Sequence, residues 1–255
     1  MSKKKKISKS VALIINTHSS NQDCLDLFFI QLKKYKADKL FKRIYIFSES
    51  DMVVPDSVIN LKYNINEVFV KQMRGCLSEV KEEFVFYCNE DYLLYDKINK
   101  AEFLRCFELL RFDDWISYLR FVYSDTLKTL DYNCDNLELV PYFSPNCFSQ
   151  VASIWKKDVF LDIHNEDVPF SIGEKGMKMG HFEEYANQIV FQKRIAGVVH
   201  HKKTDKKRGL YHYDNAVFPH IATAIVKGKW NTGEYPELKK ILKENKIDAK
   251  IRGEV

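Results

Sequence analysis

One strongly apolar stretch of the sequence ends abruptly in an amide and two carboxylates. Residues 84–88 are apolar without a break, and Asn89, Glu90 and Asp91 follow directly. We call these three residues the acidic turn. An unbroken apolar run is typical of a strand buried on both faces of a parallel sheet. Carboxylates at such a strand end could hold a hard cation through oxygen atoms. An ordinary solvated turn is the alternative, since Asn and Asp are common turn residues.

Three apolar runs in the first ninety residues alternate with helical patterns. The runs cover residues 11–15, 43–47 and 84–88, and helical spacing of apolar residues covers residues 22–35 and 66–80. This strand–helix–strand–helix–strand order predicts right-handed βαβ units. We therefore expect an α/β fold with a mostly parallel central sheet flanked by helices.

The first two runs also end in side chains that could contact a ligand. Thr17 and His18 follow the first run, and Glu49 and Asp51 follow the second. Ligands of open α/β sheets bind beyond the carboxyl ends of the strands. We expect these four residues to line one crevice together with the acidic turn. The sequence has neither a G-x-G-x-x-G nor a Walker-type glycine loop, which argues against a dinucleotide fingerprint or a P-loop.

The remainder of the chain is less regular. Apolar spacing predicts helices over residues 99–110, 156–163, 177–192 and 237–246, strands over residues 115–123, 137–140 and 195–199, and a loop followed by a strand over residues 143–155. Residues 166–176 contain Pro169, Gly173 and Gly176 and are predicted to form a mobile loop. Trp155 is predicted to be a core residue.

Two acids lie near the start of the predicted helix over residues 177–192. Glu183 and Glu184 fall outside its apolar stripe, in the first two turns, where the helix dipole favours a carboxylate. They could serve as a general base, or simply stabilise the helix end. Glu183 is the preferred candidate because it is closer to the helix start.

A histidine pair and a basic segment follow the last predicted strand. His200 and His201 come directly after residues 195–199, and the basic segment of residues 202–209 begins with Lys202 and Lys203. The histidines could bind a metal, and the lysines could contact phosphate. A pair of surface histidines and a solvated loop are the simpler alternatives.

The charge of the chain is concentrated at its start. The sequence of 255 residues has 40 Lys and Arg and 35 Asp and Glu, a net charge of +5. Five lysines precede residue 10, and setting them aside leaves 35 basic residues against 35 acidic ones. A nucleic-acid-binding domain usually has a basic surface on the folded part, so we expect no nucleic-acid partner. Residues 1–9 are predicted to be a disordered tail, with weak contact to an anionic membrane surface as an alternative.

The six cysteines contain no C-x-x-C pair, and several lie in apolar stretches. This favours free thiols in a reducing compartment over a zinc site or a disulfide framework. The sequence shows no signal peptide and no apolar segment of membrane-spanning length. The expected location is the cytoplasm, with peripheral attachment to a membrane as an alternative.

The order of these features resembles the GT-A fold glycosyltransferases, which transfer a sugar from a nucleotide-sugar donor. The resemblance spans roughly residues 11–230 as an ordering of elements. It implies a single domain over residues 10–255, with a nucleotide-binding half at about 10–110, an acceptor half at about 111–235, and a C-terminal helix and tail at 236–255. It also implies a glycan, glycoprotein or lipid-linked acceptor.

The resemblance assigns roles to the candidate residues. The family's strand-end motif usually reads Asp-x-Asp, and its last Asp binds Mn²⁺ or Mg²⁺. Here Asn89 replaces the first acid, which leaves Asp91 as the metal ligand and places Glu90 at the ribose or the donor sugar. A late histidine often completes the metal site, which implicates His200 or His201.

The remaining candidates have roles on the donor and acceptor sides. The implied donor-side residues are Thr17, His18, Glu49, Asp51, Asn89, Lys202 and Lys203. Glu183 and Glu184 match the acceptor-side acid of inverting members. Two alternatives stay open: a catalytically silent relative that binds glycans or partners, which Asn89 favours, and a sugar nucleotidyltransferase.

Overall fold

The computed structural model of the protein describes residues 10–164, 179–209 and 212–255. The predicted tail of residues 1–9 and the predicted loop of residues 166–176 lie outside the described residues. Among the residues described, no helix is long and apolar enough to cross a bilayer.

A mixed sheet dominates the described residues. Its nine strands lie in the order β3-β2-β1-β4-β9-β6-β10-β8-β7. They are β1 (Val11–Asn16), β2 (Arg43–Ser48), β3 (Val58–Lys62), β4 (Phe84–Asn89), β6 (Ile116–Arg120), β7 (Leu130–Asp131), β8 (Leu137–Val140), β9 (Ser153–Lys156) and β10 (Ala196–His200). Short strand pairs join β5 (Leu93–Leu94) to β13 (His220–Ile221), β11 (Lys207–Arg208) to β12 (His212–Tyr213), and β14 (Ile225–Val226) to β15 (Lys229–Trp230).

Most strands of the large sheet run in one direction. Strands β3, β2, β1 and β4 are mutually parallel, β9 is antiparallel to both β4 and β6, and β10 is parallel to β6. Only β9 and β8 run against the others within the described sheet. The carboxyl ends of β1, β2, β4, β6 and β10 therefore lie at one edge.

Helices cover both faces of this sheet. They are α1 (Gln22–Lys34), α2 (Phe69–Glu79), α3 (Lys100–Phe112), α4 (Lys157–Ile163), α5 (Met179–Gln192) and α6 (Pro236–Glu244). One core cluster joins α1, α3 and α6 to Leu13 and Ile15 of β1, and a second joins α2, α4 and α5 to Ala12 and Ile14. Alternate residues of a strand point to opposite faces, so β1 contributes to both cores.

This architecture confirms the predicted α/β class. Trp155 is 1% exposed and stacks on Tyr118 with ring centroids 4.3 Å apart, which confirms its placement in the core. All six cysteines lie in the described residues, and none forms a disulfide.

Candidate functional site

The carboxyl ends of β1 and β2 bring three of the predicted donor-side residues together. Thr17 is buried, and its carbonyl oxygen accepts a hydrogen bond of 3.2 Å from the Tyr63 hydroxyl. Glu49 Oε1 accepts a hydrogen bond of 2.9 Å from the backbone N–H of Ser19 and lies 3.5 Å from His18 Nε2. Burial and the nearby charge of Glu49 raise the pKa of Tyr63 to about 12, so Tyr63 stays a neutral donor.

Glu90 of the acidic turn is a buried carboxyl group. It is 7% exposed, and its Oε1 accepts a hydrogen bond of 2.6 Å from Asn21 Nδ2 at the start of α1. Burial raises the pKa of Glu90 to about 7, against the opposing effect of the hydrogen bond from Asn21. Glu90 thus faces the start of α1.

Asp91 is held against the segment that precedes β14. Its carbonyl oxygen accepts a hydrogen bond of 3.1 Å from the backbone N–H of Ala224, and the backbone N–H groups of Ala224 and Ile225 stabilise its carboxylate. Burial raises the pKa of Asp91, and the neighbouring charge of Glu90 adds to this effect. Two adjacent carboxyl groups, one buried and one half-buried, suit a divalent cation, whose charge offsets both burial and mutual repulsion.

Asn89 connects the acidic turn to the segment before β9. The Tyr87 hydroxyl lies 3.1 Å from Asn89 Oδ1 and 3.0 Å from Gln150 Oε1. The Tyr92 hydroxyl donates a 2.8 Å hydrogen bond to the carbonyl oxygen of Gln150. Tyr87 within β4 and Tyr92 just beyond its end therefore fix the position of Gln150 near the acidic turn.

Glu183 lies at the same segment, whereas Glu184 is exposed. Glu183 Oε1 accepts hydrogen bonds from the Ser149 hydroxyl at 3.0 Å and the Gln150 backbone N–H at 2.7 Å. Asn187, one turn further along α5, pairs with the backbone N–H and C=O of Phe148, each at 2.9 Å. Two residues of α5 thus anchor residues 148–150, and Glu183 is linked to Asn89 of the acidic turn through Gln150 and Tyr87.

The two histidines predicted as metal ligands, His200 and His201, contact residues outside the acidic turn. His200 is fully buried, with Nε2 3.2 Å from Glu102 Oε1 and Nδ1 3.3 Å from Asn215 Nδ2. His201 stacks on Tyr123 at 3.9 Å between ring centroids. Within the described ranges, no group of three or more His, Cys, Asp or Glu side chains could hold a metal ion. The structure therefore does not gather Asp91, His200 and His201 into one ligand set, because both rings are packed in contacts of their own.

Asp51 and the basic segment also lie apart from the crevice contacts. Asp51 is 84% exposed and forms a 3.1 Å ion pair with Lys62. The backbone N–H of Lys202 donates to Asp205 Oδ2 at 2.8 Å in a tight turn, and Lys203 is exposed. Arg208, from the same basic segment, is buried and pairs with Asp214 and Glu237. Both carboxylates are partners within the protein, so Arg208 stabilises the fold through these ion pairs.

A cavity of about 390 Å³ lies beyond the acidic turn, and none of the three residues of the turn lines it. Tyr92, the next residue after Asp91, lines one wall, and Ala222 and Thr223 line another. Arg120, at the carboxyl end of β6, is 3% exposed and also lines the cavity. Its Nη1 donates a 2.8 Å hydrogen bond to the carbonyl oxygen of Asn146.

The sequence interpretation missed Arg120, Gln150 and Tyr63. A signal for Arg120 is present, since a charged residue stands inside the apolar stretch of residues 116–122, and charged residues are rarely buried without a partner. Gln150 and Tyr63 come from irregular segments whose approach to the acidic turn depends on tertiary packing.

No protein-family model matches the sequence, and no curated protein matches it. Among solved structures, it is similar to the bifunctional IspDF from Campylobacter jejuni, at 12% identity over 71% of this chain and 46% of that chain, with a TM-score of 0.38. It is similar to residues 1–349 of TarS from S. aureus, at 13% identity over 92% of this chain and 65% of that chain, with a TM-score of 0.46.

A third similar structure is the mannosyltransferase PcManGT from Pyrobaculum calidifontis in complex with GDP-Man and Mn²⁺. The identity is 10% over 76% of this chain and 55% of that chain, with a TM-score of 0.48. The matches cover between 46% and 65% of the length of these three chains. Similarity at this level assigns neither a family nor an activity, so we base the functional proposal on the residues of this chain.

Proposed function

We propose that this protein is a glycosyltransferase that moves a sugar from a nucleotide-sugar donor to a glycan, glycoprotein or lipid-linked acceptor. One observation carries the proposal. Glu90 and Asp91 are adjacent carboxyl groups at the carboxyl end of the central strand β4, and Tyr92, the residue that follows them, lines a cavity of about 390 Å³. Neither forms a direct ion pair with a Lys or Arg among the described residues, and burial raises the pKa of Glu90 more than the nearby charge of Arg252 lowers it. Two neighbouring carboxyl groups without a direct basic partner are suited to binding a cationic ligand.

The nucleoside half of the donor is proposed to lie at the ends of β1 and β2. Thr17, His18 and Glu49 meet there, and Tyr63 closes the group. Glu49 Oε2 is buried and has no hydrogen-bond partner among the described residues. A buried carboxylate oxygen without a partner is costly, and a hydroxyl or N–H group of a nucleoside would satisfy it.

The diphosphate is proposed to lie at the acidic turn, where Asp91 would hold Mn²⁺ or Mg²⁺. Magnesium sites of this kind use one or two carboxylates together with substrate phosphates and water, so a ligand set of three protein side chains is not required. The bound ion would neutralise charge that develops on the leaving diphosphate. The chain itself contributes the acidic pair and the backbone N–H groups that orient Asp91.

Glu183 is the proposed general base for the acceptor hydroxyl. Its carboxylate is connected to Asn89 of the acidic turn through Gln150 and Tyr87. Ser149, which donates to Glu183, lines the cavity. A base in this position would take the proton of a hydroxyl that enters from the cavity as it attacks the donor sugar. Glu184 is exposed and contributes no such contact.

A panel of nucleotide-sugars with Mn²⁺ or Mg²⁺ tests the proposal. A transferase should hydrolyse or transfer at least one sugar and release a nucleoside diphosphate, and Asp91→Asn should lose this activity. Asp96→Asn is a matched control, because Asp96 is exposed and the Asn keeps the oxygen that accepts from the Lys97 backbone N–H. Release of pyrophosphate instead would indicate a nucleotidyltransferase. Binding without turnover across the panel would indicate a silent binding protein.

A further inference from the structure

Arg120 carries a positive charge into the cavity without a direct ion pair among the described residues, although burial lowers its pKa and the charge of Glu183 raises it against that effect. The Arg120 side chain forms no ion pair with a carboxylate among the described residues, and its Nε has no hydrogen-bond partner there. Arginine stays protonated in proteins, and a buried charge without compensation opposes folding. A direct counter-charge is therefore missing around Arg120 among the residues that the structure describes.

The walls of the cavity are suited to an anion. The twelve lining residues that the structure describes include no Asp or Glu. The lining hydroxyls of Tyr92, Ser149 and Thr223 donate to oxygen atoms of the protein. Ser124 and Thr126 share one hydrogen bond, so one of their two hydroxyl protons is available to a ligand. A guanidinium with an unpaired N–H group, here Nε of Arg120, is suited to recognition of carboxylate or phosphate. The volume of about 390 Å³ falls within the range of small-molecule sites.

The position of the cavity separates it from the proposed nucleoside pocket. The sheet order places β1 and β2 on one side of β4, and β9 and β6 on the other. Thr17 and Glu49 lie at the ends of β1 and β2, whereas Arg120 lies at the end of β6. The cavity also reaches Ser149, which contacts Glu183. It is thus placed on the side from which an acceptor would approach.

We propose that the Arg120 cavity binds the anionic group, a carboxylate or a phosphate, of an acidic sugar acceptor. The assignment to the acceptor rests on the proposed glycosyltransferase function. Anion binding itself rests only on Arg120 and the cavity. The guanidinium would make a charge-assisted contact with the anion while Nη1 remains bonded to Asn146.

Binding of defined sugars to the full chain, without nucleotide, tests the anion site. The probes are glucuronate, glucose 6-phosphate and neutral glucose, at matched ionic strength. We expect one or both acidic sugars to bind and to raise the melting temperature, and glucose to do neither. Arg120→Gln should weaken acidic-sugar binding by about 10- to 100-fold, the loss of one hydrogen bond to a charged group. Arg111→Gln, at an exposed position of α3, should leave it unchanged.

Several results would overturn the proposal. These are equal effects of glucose and the acidic sugars, no binding of any probe, or unchanged acidic-sugar binding by folded Arg120→Gln. If Arg120→Gln does not fold, Arg120→Lys is used instead, together with NMR chemical shifts of the wild type recorded with each sugar. Shift changes that do not include Ser124, Asn146 and Thr223 would refute the site. Binding of glucuronate alone or of glucose 6-phosphate alone identifies the anion as carboxylate or phosphate.

The link to the acceptor is tested separately. Once a donor is known, the wild type should use acidic acceptors in preference to neutral ones, and Arg120→Gln should lose this preference. Acidic-sugar binding by a protein without transferase activity would retain the anion site and reject the glycosyltransferase proposal. Transferase activity without acidic-sugar binding would retain the glycosyltransferase proposal and reject the anion site.

Discussion

At the scale of single residues, the Glu183 carboxylate combines a structural contact with a proposed catalytic role. One oxygen, Oε1, accepts from both the Ser149 hydroxyl and the Gln150 backbone N–H. A glutamine at this position can keep those two hydrogen bonds through its amide oxygen, but it cannot take a proton. Substitution by glutamine therefore separates the two roles.

We expect Glu183→Gln to slow transfer by ~10²–10⁴-fold, as removal of a general base does, with donor affinity and melting temperature nearly unchanged. Steady-state rates and donor titration measure these effects. Glu184→Gln, at the exposed neighbouring position, should retain full activity. If Glu183→Gln stays fully active while Glu183→Ala is impaired, the role of Glu183 is to position residues 149–150.

The sequence was informative about residues at the ends of buried strands. Thr17, Glu49 and the acidic turn follow apolar runs, and the topology of parallel strands brings such ends to one edge. The sequence was uninformative about the residues that hydrogen-bond to these strand-end side chains and orient them. His200 is the last residue of strand β10, and it is buried against Glu102, a contact between residues 98 positions apart. Sequence spacing carries no signal for such contacts.

At the scale of secondary-structure elements, β6 and β10 pack around a close contact between a glycine and an aromatic ring. A Cβ atom at Gly197 would lie 2.4 Å from ring atoms of Tyr118. The Tyr118 ring cannot move away easily, because it stacks on Trp155 and its hydroxyl donates to the carbonyl oxygen of Cys147 at 2.7 Å. The glycine permits the strands and the ring to pack together.

Gly197→Ala should reduce the free energy of unfolding by about 1–3 kcal/mol, the usual cost of overpacking a core. Denaturant unfolding measures this change. Gly75→Ala is the matched control: this exposed position lies within α2, and nothing lies within 4 Å of the added Cβ. Alanine there should instead stabilise the fold by about 0.5–1 kcal/mol. Equal effects at the two glycines would contradict this account of the β6–β10 contact.

Burial determined which elements were predictable. Strands β1, β2 and β4 are nearly continuous apolar runs, and their predicted bounds agree with the structure to within one residue. Strand β3 was not predicted, because this edge strand has only Val58 buried and carries Asn60 and Lys62. The two-residue strands likewise form through tertiary pairing and leave no periodic pattern.

At the scale of the whole molecule, Arg252 joins the end of the chain to its beginning. Its Nε donates a 2.6 Å hydrogen bond to Asp23 Oδ2, and its Nη2 contacts the other oxygen of Asp23. Nη2 also lies 2.9 Å from the Ser20 carbonyl oxygen and 3.3 Å from Asn21 Oδ1. Since Asn21 donates to Glu90, the C-terminal segment supports the acidic turn through one intermediate residue.

Arg252→Gln should lower the free energy of unfolding by about 1–2 kcal/mol, since a charged hydrogen-bond donor is lost from a partly exposed pair. It should also weaken donor binding, because Asn21 loses a fixed partner. Chemical denaturation and donor titration measure the two effects. Lys250→Gln, at an exposed position two residues earlier, is the control and should change neither. Wild-type stability in Arg252→Gln would show that the C-terminal contact is dispensable.

The most direct test of the central claim is the stabilisation of the full chain by a nucleoside diphosphate with and without Mn²⁺. Ligand at 100 times its Kd should add about 2.7 kcal/mol to the free energy of unfolding. For the wild type, we expect stabilisation that depends on the metal, and we expect Asp91→Asn to lose that dependence while Asp96→Asn keeps it. A metal-dependent stabilisation that is unchanged in Asp91→Asn, or absent from the wild type with every nucleoside diphosphate, would contradict the assignment of the acidic turn as the diphosphate site.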